Sequence, residues 1–152
     1  MTAAIALKAF VLFADLSDEE RDEIAELLEE RRLSPGETLF QEGDEADALV
    51  LVVDGSVELS SRRASEKAVL GGGSVLGSLA LLAVGSRLAT AVGAEHASVL
   101  LLRREDFLRL AEDNPRTACR IVSAIAADAA ALTRLALDAL GAASVDPAHA
   151  AD

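Results

Sequence analysis

Apolar residues recur along this chain in more than one rhythm, and the changes of rhythm divide it. From Ala3 to Asp15, the positions Ile5, Leu7, Phe10, Leu12 and Phe13 fit one amphipathic helix that tucks Phe10 and Phe13 against a core. Ser17-Asp18-Glu19-Glu20 then has the form of a capping box. Ile24, Leu27 and Leu28 supply the apolar stripe of a helix lasting to Glu30, with its acidic face in water. Pro35-Gly36 occupies the second and third positions of a type II turn, which ends the helical stretch. From there the period falls to two. Glu37–Gln41, Ala48–Val53, Ser56–Ser60, Ala68–Leu70, Leu88–Val92 and Ser98–Arg103 read as short strands, punctuated by Gly43-Asp44, Asp54-Gly55 and Gly71-Gly72-Gly73. Helix returns at Glu105, covering Phe107, Leu108 and Leu110. Asn114-Pro115, a cap followed by proline at the first helical position, opens a longer helix that ends at Gly141.

This pattern predicts a mainly β fold, a barrel or jelly roll flanked by helices. A helical segment spans 1–33, the β unit 34–103, C-terminal helices 104–141, and an unstructured tail 142–152 containing Pro147 and His149. No internal repeat interrupts this order.

One stretch within the β unit, 73–90, has a chemistry of its own. Gly77 permits a sharp turn and close approach to the backbone, Ser78 is a natural N-cap, and Leu79 to Leu82 read as a short helix with free N–H groups at its start. Arg87 follows in otherwise apolar surroundings. A fork-shaped, permanently charged guanidinium beside a helix start suits a phosphate, so the stretch reads as a small anion cradle. Two plainer readings stand beside it: Ser78 as a cap and nothing more, and Arg87 as the structural partner of a carboxylate such as Glu95 or Glu58.

Charge and composition narrow the partners. The 152 residues carry a net charge of −12, and the short pairs Arg31-Arg32, Arg62-Arg63 and Arg103-Arg104 make no basic face, so nucleic acid is not an expected partner. With four Phe and neither Trp nor Tyr, platforms for base stacking are few. The N-terminus lacks the form of a signal peptide, and Asp128, Arg134 and Asp138 interrupt the most hydrophobic later segment, so a soluble cytoplasmic protein is expected. The single cysteine, Cys119, reads as a small buried helix residue. His96 and His149 lack the spacing of a metal site, no cofactor is expected, and a cupin-type metal enzyme would need clustered histidines that the barrel lacks. Catalysis is therefore not expected. In the last helix, Val122, Ile125, Ala129, Leu132, Ala136 and Ala139 form a seam at three- and four-residue steps. Ile121, Leu135 and Leu140 widen it enough to serve both its own domain and a second copy, a homodimer through 114–140.

Leu12-Phe13-Ala14-Asp15-Leu16-Ser17, Pro35-Gly36-Glu37, Gln41-Glu42-Gly43-Asp44, Val53-Asp54-Gly55-Ser56-Val57, the stretch 77–90, Arg104-Glu105-Asp106-Phe107 and Asn114-Pro115 follow one another in a familiar order. Together they resemble the cyclic nucleotide-binding domain of catabolite activator-type regulators, protein kinase A regulatory subunits and cyclic nucleotide-gated channels. The resemblance covers Phe10 to Leu140 and implies a β jelly roll with a phosphate-binding cassette. The family pattern there is Phe-Gly-Glu-(Leu or Ile)-Ala-Leu, a short gap, then Pro-Arg-x-Ala-(Thr or Ser). Gly77, Leu79, Ala80, Leu81, Arg87, Ala89 and Thr90 match, whereas Leu76 replaces Phe, Ser86 replaces Pro and Ser78 replaces Glu.

Carried over, the resemblance implies that Arg87 and the amides of Leu79 and Ala80 hold the cyclic phosphate of cyclic AMP or another cyclic nucleotide. Ser78 makes only a neutral contact where the family Glu accepts from the ribose, which lowers affinity about tenfold. Leu88, where cyclic GMP-selective members often carry a hydroxyl, gives no guanine-specific contact. Two functions follow: a stand-alone sensor signalling through the 114–140 helix to an unknown protein partner, or a degenerate domain that has become a protein-interaction module. After Leu140 no room is left for a helix-turn-helix, so a DNA-binding domain is not expected.

Overall fold

The computed structural model describes residues 3–144. The elements in chain order are α1 (Ala3–Leu7), a 3-10 turn (Val11–Phe13), α2 (Asp18–Leu27), β1 (Glu29–Leu33), β2 (Thr38–Phe40), β3 (Ala48–Asp54), β4 (Ser56–Ser60), β5 (Ala68–Gly71), β6 (Val75–Leu76), a second 3-10 turn (Ser78–Leu81), β7 (Thr90–Gly93), β8 (Ala97–Arg103), α3 (Arg104–Asp113) and α4 (Pro115–Ser144). The strands form two four-stranded antiparallel sheets, ordered β1-β8-β3-β6 and β2-β7-β4-β5. This is the predicted jelly roll with its flanking helices.

The continuous apolar runs of β3 and β8 follow from burial on both faces. Leu49, Leu51, Leu100 and Leu102 point one way, into a cluster with Phe10, Phe13, Ile24, Phe107, Ile121 and Ile125 from the helices. Ala48, Val50, Val52, Val99 and Leu101 point the other way, between the sheets, where they meet Leu33, Val57, Leu76 and Ala91. β3 is thus the shared wall of two cores. The cassette departs from the end of β6, its direct neighbour.

Several boundaries differ from the sequence reading. The first helix is broken into α1 and a 3-10 turn, because Arg21 caps the turn from outside: Nη1 donates to Phe13 O at 3.1 Å, Ala14 O at 3.4 Å and Leu16 O at 2.5 Å. Phe10 and Phe13 are buried as expected, whereas Ile5 is exposed. The capping box forms with both of its hydrogen bonds. The helix it opens ends at Leu27 rather than Glu30, and Glu29–Leu33 is an edge strand beside β8. Thus 1–33 is not wholly helical: a charged, mostly exposed edge strand carries no apolar alternation to betray it. β6, only two residues long, is too short to show a period of its own in the sequence.

Leu88 and Ala89 lie outside β7, which starts at Thr90. Cys119 is exposed, not buried, because the inward face of α4 is taken there by Ala118 and Ile121. The final helix runs past Gly141 to Ser144, so the expected tail is helical in its first three residues; 145–152, with Pro147 and His149, lies outside the described residues. Past Ala129, positions 130–140 of α4 are all exposed, Leu132, Leu135, Leu137 and Leu140 included.

Candidate functional site

The cassette is built between two anchored ends. Its far arm is zipped to the β2–β3 turn: Gly43 N–H donates to Arg87 O at 2.9 Å, Arg87 N–H to Asp44 O at 2.7 Å, and Ala46 N–H to Gly85 O at 2.8 Å, while Glu45 bridges Ser86. Thr90 secures the exit, its Oγ1 accepting from Glu42 N–H at 3.0 Å. The near arm leaves β6 through Gly77 at φ 66 and ψ 38, a left-handed conformation open to glycine, and turns at once into the 3-10 segment. Gly77 is itself the cap, so Ser78 is the first helical residue rather than the N-cap the sequence implied, and no hydrogen bond occupies its hydroxyl. The expected helix Leu79–Leu82 is a 3-10 turn one residue earlier.

Arg87 points inward from the zipped arm and is only 7% exposed. Its Nη2 donates to Ala48 O at 2.8 Å, and its Cζ stands 4.2 Å from the centre of the Phe40 ring. A Cβ at Gly77 would meet Nη1, the end of a flexible side chain that could shift, so it is the positive φ that requires glycine there. Among the described residues no carboxylate lies within 4.0 Å of the guanidinium. The proposed structural partners are engaged elsewhere, Glu95 with the Ser56 hydroxyl at 3.1 Å and Glu58 with Lys67 at 3.3 Å. Burial pushes the Arg87 pKa below its ordinary value, and the more distant Asp47 and Asp44 only partly offset this. A buried cation without a counter-ion is costly to maintain, and an incoming anion removes that cost.

Other predicted residues divide. The Leu79 amide is outside the backbone hydrogen bonds of the turn, whereas the Ala80 amide donates to Gly77 O at 3.0 Å and Ala80 itself is buried. Of the two amides assigned to the anion, one is therefore committed to the turn. Leu88 is 79% exposed and does not fill the space beside Arg87. Ala89 is partly exposed and Thr90 is turned to Glu42.

Three contributors have no site role in the sequence reading. Phe40 falls simply within the predicted strand Glu37–Gln41. Glu42 accepts from the Ser61 hydroxyl at 2.8 Å and the Arg62 amide at 3.3 Å, which fastens the β4–β5 loop to the cassette exit; the Ser61 bond, above all, holds its carboxyl below the usual value. Arg104, at the start of α3, donates from Nη1 to Ala46 O at 2.9 Å, Ala80 O at 3.0 Å and Ala83 O at 3.2 Å, joining the cassette to the C-terminal helices. The motif Arg104-Glu105-Asp106-Phe107 marked the position but not this role.

A separate open cleft of about 690 Å³ lies where Asp15 meets Pro115, Arg116, Cys119, Arg120, Ser123, Ala124 and Ala127 of α4, away from Arg87. Its Arg120 is already paired with Glu20 at 2.6 Å. Among the described residues no cluster of His, Cys, Asp or Glu could hold a metal, and no helix is long and apolar enough to cross a membrane.

Residues 30–114 match the family model of the cyclic nucleotide-binding domain. The chain is 34% identical over 124 residues to the cyclic AMP receptor protein of Thermus thermophilus, an alignment covering 79% of this chain and 57% of that protein. It is 32% identical over 105 residues to the cAMP-dependent protein kinase regulatory subunit of Yarrowia lipolytica, covering 68% of this chain and 28% of the other. The crystal structure of the N-terminal domain of a transcriptional regulator from Streptomyces coelicolor A3(2) superposes with a TM-score of 0.74 at 31% identity, over 84% of this chain and 94% of that one. The chain thus spans 57% and 28% of the lengths of those two curated relatives.

Proposed function

The chain belongs to the cyclic nucleotide-binding domain family, and from that premise we propose that it is a sensor whose cassette takes a cyclic nucleotide by its phosphate and signals through α4. Arg87 is the charged ligand, Gly77 gives the backbone access, and the Leu79 amide adds a donor, with Ser78 as a neutral neighbour of the sugar. The observation that carries this reading is the burial of Arg87 without a carboxylate partner among the described residues. A purely structural arginine at that depth would be neutralised by the protein itself.

Calorimetric titration with cyclic AMP and cyclic GMP tests it. Wild type is expected to bind at least one, and Arg87→Ala to lose more than about a hundredfold in affinity, since a charge-assisted bidentate contact to phosphate contributes roughly 3 kcal/mol. Absence of heat with either nucleotide, at concentrations where sulfate also fails to stabilise the fold, would reject the sensor. The interaction-module reading draws on one observation, Ser78 in place of a carboxylate, and would then stand.

The exposed leucines of α4 support self-association as the output. Leu132, Leu135, Leu137 and Leu140 lie beyond the part of the helix packed on its own domain, an apolar surface suited to a second copy. Light scattering should give twice the chain mass for wild type at tens of micromolar, and the chain mass for Leu132→Glu/Leu135→Glu. A monomeric wild type would remove dimerisation from the proposal.

A further inference from the structure

Phe40 has no place in the cassette by sequence position, yet its ring is the group that lies against the buried cation. β2 pairs with β7 in an irregular register, Thr38 opposite Val92 and Phe40 opposite Ala91, so two steps on β2 answer one on β7. Strict alternation would leave Phe40 on the exposed side that Thr38 occupies, with Leu39 inward. The bulge re-aims the ring instead: Phe40 is half-buried against the inter-sheet core and lies 4.2 Å from Arg87 Cζ.

A ring differs from a carboxylate in what it leaves free. A carboxylate would neutralise Arg87 by accepting its N–H groups, and an incoming anion would have to displace it. The ring attracts the cation through its π face and accepts none of those hydrogen bonds. With Ala48 O accepting from Nη2 alone, the other N–H donors of the fork remain available to a ligand. Asp44 and Asp47, the nearest acidic residues on the flanking turn, act on Arg87 only at longer range.

We infer that Phe40 is the positioning residue of the anion site: its ring holds the Arg87 guanidinium oriented and ready for a phosphate without competing for its donors. The inference rests on the proposed reading of the cassette as a phosphate site, and it assigns affinity to a residue outside the cassette.

Three proteins test it: wild type, Phe40→Leu, which keeps an apolar side chain but has no π face, and Phe40→Tyr, which keeps the face. Cyclic AMP is titrated into each by calorimetry, and the Arg87 Nε–H resonance is followed by nitrogen-15 NMR without ligand. Phe40→Leu is expected to bind about fivefold to tenfold more weakly and Phe40→Tyr within about twofold of wild type. The upfield ring-current shift of the Arg87 Nε–H should be present in wild type and Tyr and lost in Leu. Wild-type affinity in Phe40→Leu, or equal weakening in Leu and Tyr, would overturn the inference. If wild type binds neither cyclic AMP nor inorganic phosphate, the sensor reading fails by itself. The NMR comparison then decides this one: loss of the shift in Leu alone supports ring positioning, and an unchanged shift in Leu overturns it. Should Phe40→Leu not fold, Phe40→Met takes its place and is read in the same way.

Discussion

Two arginines are buried in this protein to almost the same depth, Arg21 at 9% exposure and Arg87 at 7%, and they are treated in opposite ways. Arg21 is neutralised by the protein itself, with only its Nε left unpartnered. Its Nη1 spans three carbonyls at the end of the first 3-10 turn, and its Nη2 meets Asp18 Oδ1 at 2.7 Å. Arg87 is left open, with one carbonyl, one ring and, among the described residues, no carboxylate within 4.0 Å. Burial alone therefore does not mark a functional cation, and neither does an unspent donor, since Arg21 Nε is itself buried without a hydrogen-bond partner; the marker is burial with no carboxylate within ion-pair distance. At the N-terminus the protein supplies its own counter-charge, and at the cassette it withholds one.

The sharpest way to break this contrast is to delete each arginine in turn. Arg21→Ala leaves three inward carbonyls without their donor and should cost about 3 kcal/mol of stability in urea unfolding, with ligand affinity unchanged. Arg87→Ala should shift the unfolding free energy by less than about 1 kcal/mol, because the lost carbonyl bond and ring contact are offset by relief of a buried charge. If the two losses of stability proved equal, the distinction between a neutralised and an open cation would collapse.

A smaller effect sharpens the cassette side. Ser78→Glu places a carboxylate beside the sugar position, and affinity for cyclic AMP should rise about tenfold, or about 1.4 kcal/mol. Because Leu88 stands in solvent instead of filling the pocket, the new carboxylate has room. Unchanged affinity together with lost stability would show a closed site.

The smallest effect lies on the structural side, beside Arg21. Glu20 accepts from the Ser17 amide, the Thr117 hydroxyl at 2.7 Å and Arg120 at 2.6 Å, which fastens α2 to α4. The Ser17 amide, first, and then Thr117 hold its pKa below the ordinary 4.5. A depressed carboxylate stabilises the fold above its unfolded pKa and loses that contribution as pH falls through the folded value. The acid limb of a pH-stability curve below about pH 4.5 should thus be shallower in Glu20→Gln than in wild type, with cyclic AMP affinity at neutral pH unmoved.

The sequence was most legible where local chemistry and the tertiary result agree. The capping box at Ser17, the glycine turns and the two-sided apolar runs of β3 and β8 all state their own structure, and Gly77 and Arg87 could be paired by motif alone. It was least legible where a residue's role depends on a partner distant in the chain. Glu29-Glu30-Arg31-Arg32 becomes a strand only because β8 offers an edge, with Arg103 reaching Glu29 at 2.9 Å. Phe40 becomes part of the site only through a bulge, and Arg104 only through three carbonyls that two separate turns deliver. Ser78 shows a subtler limit: its type predicted a cap, and the left-handed Gly77 took that position first.

On the proposed reading, in which α4 carries the signal, the length of this helix sets its gain. The last fully buried anchor of this helix is Ile125, and the helix continues to Ser144. The nineteen residues beyond Ile125, among which positions 130–140 are all exposed, extend about 28 Å at about 1.5 Å per residue. They form a lever arm pivoted on the domain. A tilt of about 10° at the pivot would sweep the tip through about 5 Å, close to one helical pitch. On that reading the far leucines report, as a displacement of ångströms, a tilt too small to alter the barrel itself.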